Sequence, residues 1–308
     1  MSEQGEMTIG TATINKPDLR QLAPTGHGWR FWLGLVFSAA LFIAIVIEMT
    51  SGGLEAFRGA LPTTPAFYIA FALGYMTLPV FDWLIFRHLW GLPLAGLTPL
   101  IKKRVANDVL FGYSGEGYFY LWLKARPGIT AHPFGAIKDV SILSALAGNA
   151  MTFALLLAAF PMIGDLTFAI EPQLLLGSGA ILIGISLAVL IFRRQLFTLA
   201  APDLWPSFIL HLVRITLSTL FLALAWYFAL PEVDAAYWVL FAALRLLINR
   251  LPLIPSKDLL FAAAAIFLTD KGDAMGNVVA MSAGLFLATN LAFGILLTGT
   301  DFIGRRRS

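Results

Sequence analysis

The stretch "KRVANDVLFGYSGEGYFYLWLKARPG", residues 103–128, places Ser114, Gly115, Glu116 and Gly117 between two aromatic runs. Its reading depends on the chain around it. Of 308 residues, 58% are hydrophobic and only 13% charged, and the mean hydropathy is +0.80. A soluble core needs far less apolar residue than this, so the chain reads as an all-α, polytopic membrane protein. A carboxylate between two glycines then marks the interruption of an apolar segment, residues 105–123, rather than a surface loop.

Six uninterrupted apolar runs lie at residues 31–49, 65–86, 142–162, 173–191, 207–230 and 275–297. The first alone makes a helix of about 28 Å, close to the roughly 30 Å of a hydrocarbon core. A second interrupted segment occupies residues 235–268, where Pro252 and Pro255 fall inside "RLPLIPSKD". Such breaks are tolerated at membrane depth where the freed backbone is buried in protein or lines a polar cavity. Both segments are therefore expected as V-shaped, re-entrant hairpins. The expected organisation is a flexible cytoplasmic tail over 1–30, one transmembrane domain over 31–300 with halves 31–162 and 173–297, and a basic cytoplasmic tail over 301–308.

With the amino terminus inside, inner loops and tails hold Lys16, Arg20, Arg30, Arg87, Lys102, Lys103, Arg104, Lys124, Arg126, Lys138, Arg193, Arg194, Arg305, Arg306 and Arg307. Outer loops hold only Arg58 and Lys271. That bias puts both termini in the cytoplasm of a bacterial inner membrane. Three spans with one V, followed by three spans with the other, is the layout of an inverted repeat. The same parity also arises by coincidence, since any even number of spans can be halved.

Arg214, Arg245, Arg250 and Lys257 fall inside apolar segments or at their break, with Asp82, Asp108, Glu116 and Asp258 as acidic counterparts. A charge at mid-helix costs roughly 2.5–3.5 kcal/mol on insertion scales, which makes these residues functional candidates. In "RLLINR", Arg245 and Asn249 share a helical face and Arg250 lies about 100° further round, so the three form one polar wall ahead of the proline break. Facing Glu116, that wall either holds the two hairpins together as an ion pair or receives a lipid phosphate whose resting counter-ion is Glu116. Candidate substrate contacts are thus Glu116, Arg245, Asn249, Arg250, Lys257 and Asp258, with Ser114 and Tyr118 beside the first break. Gly115, Gly117, Pro252 and Pro255 are the candidate turn positions. Aromatic side chains crowd the first break, and interfacial anchoring accounts for most of them. His211 and Arg214 are three apart and share a face, as a core pair, an interfacial end or a proton relay.

Other chemistries lack their residues. No cysteine occurs, no two histidines have metal-ligand spacing, and no phosphate-binding glycine–lysine loop is present. "GYSGEG" fails as a nucleophile elbow because Glu116 stands where glycine belongs. Nothing calls for a catalytic residue, cofactor, metal or nucleic-acid partner.

At its two interruptions the chain resembles the lysylphosphatidylglycerol synthase transmembrane-region family, flippase-like integral membrane proteins. The resemblance rests on "GYSGEGYFYLWLKARPGIT", residues 112–130, and "LPLIPSKDLLFA", residues 251–262. Gly115, Glu116, Pro252 and Pro255 match the family pattern. Phe119 stands where the family has arginine, and Ser256, Lys257 and Asp258 stand where it has glycines. The resemblance implies translocation of a phospholipid or lipid-linked headgroup through a polar midplane cavity. It equally allows a membrane enzyme or accessory subunit in lipid or polyprenyl-linked glycan modification, with a lipid-modifying enzyme or a second copy as partner. Aminoacylation is not expected, since "GTDFIGRRRS" alone follows the last span.

Overall fold

A computed structural model describes residues 61–109, 113–126, 128–130, 133–159, 191–249, 257–268 and 274–306, with isolated positions between 177 and 189. The regular structure among the described residues is helical: α1 (Pro65–Trp90), α2 (Leu97–Val109), α3 (Ser114–Lys124), α4 (Pro133–Ala159), α5 (Arg193–Leu196), α6 (Ala201–Ala229), α7 (Ala235–Ile248), α8 (Lys257–Leu268) and α9 (Ala274–Arg306). Three helices among them are long and apolar enough to cross a membrane: α1, α6 and the Ala274–Gly294 part of α9. They coincide with the expected runs 65–86, 207–230 and 275–297. The runs 31–49 and most of 173–191 lie outside the described residues, and 142–162 falls on α4 as far as Ala159. Helix α9 continues to Arg306, so the expected tail begins inside a helix.

Local chemistry sets the ends of α1. Pro65 occupies its first turn, where a missing N–H costs nothing, and Gly91 closes it in the left-handed region at φ 65, its N–H donating to the Arg87 carbonyl. Pro79 sits in mid-helix and has no N–H for the Tyr75 carbonyl one turn earlier. That carbonyl accepts from the Arg104 guanidinium of α2 instead. The proline therefore creates a docking point for the next element, and the backbone remains satisfied.

The face of α1 carrying Phe67, Phe71 and Tyr75 is buried, whereas Tyr68, Ile69 and Leu73 are exposed, as expected of a helix with protein on one side and lipid on the other. Helix α6 packs along α1, with Gly74 admitting the close approach of Phe221. An aromatic core joins α1, α6, α7, α8 and α9 through Phe71, Trp226, Trp238, Phe241, Phe261 and Phe286. Phe71 and Phe286 rings lie 4.5 Å apart, and Trp226 lies 5.8 Å from both Trp238 and Phe261. At the start of α4, the buried Asp139 carboxylate accepts from the Thr198 N–H at 2.6 Å, the Thr198 hydroxyl at 2.8 Å and the Leu199 N–H at 2.7 Å. This fixes the segment leading into α6.

The first interrupted segment is a helical hairpin. Helices α2 and α3 have 13 and 11 residues, about 20 and 17 Å, too short to cross a core of roughly 30 Å. The hairpin begins earlier than its apolarity suggests, at Leu97, because α2 is amphipathic. Gly115 and Gly117 both lie in the first turn of α3 rather than ahead of it; among the described residues of the connection, Tyr113 is left-handed, at φ 72. Gly115 is needed for proximity. A Cβ there would sit 2.0 Å from the Lys103 carbonyl oxygen and 2.8 Å from Asn107 Oδ1. Asn107 Oδ1 accepts the Gly115 N–H at 2.7 Å, and Ser114 Oγ donates to the Ala106 carbonyl at 2.6 Å. Phe119 is fully buried against Phe86, with ring centroids 4.8 Å apart, while Tyr113 is 62% exposed. Interfacial anchoring thus suits Tyr113 and fails for Phe119.

Gly115→Ala should lower the thermal unfolding midpoint of the purified protein by the equivalent of about 1–3 kcal/mol, the usual cost of overpacking. Gly117→Ala should not, because nothing lies within 4 Å of a Cβ there. Equal midpoints for the two variants would refute the close contact between α2 and α3.

Candidate functional site

Two charged clusters lie among the spanning helices, and α2 supplies a cation to each. In the first, Asp82 of α1 is 1% exposed. Its Oδ2 accepts from Lys103 Nζ at 2.7 Å and its Oδ1 from Arg214 Nη1 of α6 at 2.8 Å, while Arg214 Nη2 donates to Ser144 Oγ of α4 at 2.8 Å. Lys103 Nζ also lies 3.4 Å from Glu116 Oε1. The Lys103 ammonium is thus flanked by two carboxylates, Asp82 and Glu116, which offset the cost of burying its charge. Glu116 Oε2 and both ring nitrogens of the buried His211 make no hydrogen bond among the described residues.

In the second cluster, Arg104 Nε lies 3.3 Å from Asp108 Oδ2, one helical turn on, and its guanidinium sits 3.9 Å over the Tyr75 ring. Tyr75 Oη donates to Asn290 Oδ1 at 2.7 Å, and Asn290 Nδ2 donates to Asp108 Oδ2 at 3.2 Å. From the other interrupted segment, Arg245 Nη2 and Nε both converge on Asp258 Oδ1, at 2.7 and 2.8 Å. The two ion pairs are neighbours. Phe286 is approached by the guanidiniums of Arg104 at 5.7 Å and Arg245 at 5.8 Å, and the charges of Arg245 and Asp258 both bear on Asp108. A narrow crevice beside them is lined by Arg245, Asp258, Trp226, Ser282, Phe261 and Phe286.

The predicted residues therefore divide between the clusters. Among the described residues Glu116 meets Lys103, and Arg245 meets Asp258. Asn249 ends α7, and its carbonyl accepts from Lys257 Nζ at 2.9 Å, which ties the two sides of that break together. Ser114 serves the hairpin, and Tyr118 is half-buried on α3. Arg250, Pro252 and Pro255 lie outside the described residues.

Sequence reasoning missed Lys103, Arg104, Tyr75 and Ser144. Lys103 and Arg104 read as part of a basic inner loop with Lys102, yet each is 6% exposed. Two signals pointed to Arg104: Asp108 four residues on, and Pro79, which leaves a carbonyl in want of a donor.

Among the described residues no three His, Asp or Glu side chains are grouped as metal ligands would be. No family model, characterised protein or solved structure matches the chain.

Asp82→Asn would leave Lys103 and Arg214 buried with one carboxylate fewer between them. It should destabilise the protein by about 3–5 kcal/mol, the usual cost of breaking a buried pair from one side. Glu116→Gln leaves Lys103 its shorter bond to Asp82 and should cost less than about 1 kcal/mol. Thermal unfolding in detergent measures both, and a Glu116 variant as unstable as the Asp82 variant would overturn this ordering.

Proposed function

We propose that the chain is an integral membrane protein that carries the charged headgroup of a lipid between leaflets, as a flippase or scramblase does. The observation that supports this reading is the adjacency of Arg104–Asp108 and Arg245–Asp258. They are drawn from two separate interrupted segments and lie among helices long enough to span a bilayer. Guanidinium recognises phosphate through parallel hydrogen bonds, and a phosphate crossing hydrocarbon needs such partners.

A lipid suits this arrangement better than a soluble solute. A soluble molecule needs a polar route around its whole surface, whereas a lipid needs a polar track only for its headgroup, the tails staying in the bilayer. Among the described residues the buried basic side chains Lys103 and Arg104 belong to the two clusters, and α1 and α6 expose apolar side chains such as Ile69, Leu73, Ile209 and Leu220. The fuller architecture we propose has six spans and two re-entrant hairpins as an inverted repeat, in a bacterial inner membrane with both termini cytoplasmic. Its support is the spacing of apolar runs, the short hairpin α2–α3 and the distribution of basic residues.

Reconstituted in vesicles with a fluorescent phospholipid, the protein should expose inner-leaflet label to external dithionite. Arg245→Ala should slow this exchange about tenfold or more, the loss expected for one charge-assisted hydrogen bond of about 1.5–3 kcal/mol. A wild-type protein no faster than protein-free vesicles would refute the reading.

A further inference from the structure

We propose that the headgroup taken by the second cluster is zwitterionic, carrying a phosphate and an ammonium together, and that Arg245–Asp258 is the pair that opens to receive it. This rests on the lipid-carrying reading above and deepens it. Among the described residues the two ion pairs bring together two guanidiniums, Arg104 and Arg245, and two carboxylates, Asp108 and Asp258. Within these two pairs the charges already balance. A phosphate can enter only by displacing a carboxylate from a guanidinium, and a purely anionic headgroup would then leave that carboxylate buried beside it. Like charges at depth without partners are strongly unfavourable. A headgroup that brings its own ammonium re-pairs both: phosphate on the guanidinium, ammonium on the released carboxylate.

Geometry separates the fixed pair from the exchangeable one. Arg104 is held by Asp108, by the Tyr75 carbonyl and by the Tyr75 ring, and Asn290 ties Tyr75 to Asp108. Among the described residues Arg245 directs two nitrogens at the single oxygen Oδ1 of Asp258, not at both oxygens as a fork would. Of the two pairs, this second one lines the crevice, together with the aromatic side chains of Trp226, Phe261 and Phe286, a residue class that attracts ammonium groups. Ser282 adds a hydroxyl there, already accepting the Trp226 N–H at 3.1 Å.

Native mass spectrometry of the full chain tests the proposal without requiring movement of lipid. Offered phosphatidylethanolamine and phosphatidylglycerol with identical acyl chains, the protein should retain the zwitterionic lipid about tenfold better, the order of discrimination one unpaired charge provides. Asp258→Asn should abolish that preference, and Asp258→Glu, which keeps the charge, should preserve it. Soluble phosphoethanolamine offered alone should be retained far more weakly than the lipid; equal retention would keep the zwitterion class and assign the site to a free solute. Equal or better retention of phosphatidylglycerol by the wild type, or a preference unchanged in Asp258→Asn, would overturn the proposal. The two readings fail separately: selective retention without exchange in vesicles sinks lipid transport alone, and exchange without preference sinks the zwitterion alone.

Discussion

Among the described residues, the charges buried between the helices lie beside their opposites. Lys103 and Arg214 share Asp82, Lys103 also meets Glu116, Arg104 meets Asp108, and Arg245 meets Asp258. Each pairing joins elements or closes a turn, so electrostatic neutrality and helix placement are one constraint. Hydrophobic contact distinguishes little between one apolar helix face and another when lipid is itself apolar. A buried ion pair distinguishes sharply. The short hairpin α2–α3, with too little length to span, is set among the long helices by two adjacent cations pointing to two different acceptor sites on α1.

Backbone chemistry reinforces the same placement. Pro79 frees the Tyr75 carbonyl, and Arg104 takes it. Gly115 lets α3 come against the Lys103 carbonyl, and Asn107 then reaches the Gly115 N–H. Proline and glycine, which weaken isolated helices, here determine where the next helix can dock. The second of the clusters they assemble borders a crevice lined by Trp226, Phe261 and Phe286.

Much of the helical layout was legible from hydropathy. The runs that become α1, α6 and α9 could be read directly, because an apolar stretch of this length has few other stable arrangements in a bilayer. The charged residues Asp82, Asp108, Glu116, Arg214, Arg245 and Asp258 were legible as unusual for the same reason. Their pairing was not. Glu116 meets Lys103 because α2 folds back on α3, and no one-dimensional spacing reveals which of several cations a hairpin will present. Lys103 and Arg104 were misread as inner-loop charges because a basic run at the edge of an apolar segment has the same composition whether it faces water or a buried carboxylate. Gly117 was misread for a related reason: a glycine flanking a carboxylate looks like a turn, whereas Gly117 lies inside the first turn of α3, behind the left-handed Tyr113.

Arg245 and Asp258 join the two sides of the second break and neighbour the Arg104–Asp108 pair of the first. A double-mutant cycle on Arg245→Met and Asp258→Leu, read as thermal unfolding of the purified protein, measures their coupling directly. Each single change strands a partly buried charge, and the double change removes both, so the double variant should be more stable than the sum of the singles by about 1–3 kcal/mol. Strictly additive losses would mean that the two side chains do not act as a pair, and the assembly of the site would then need another basis.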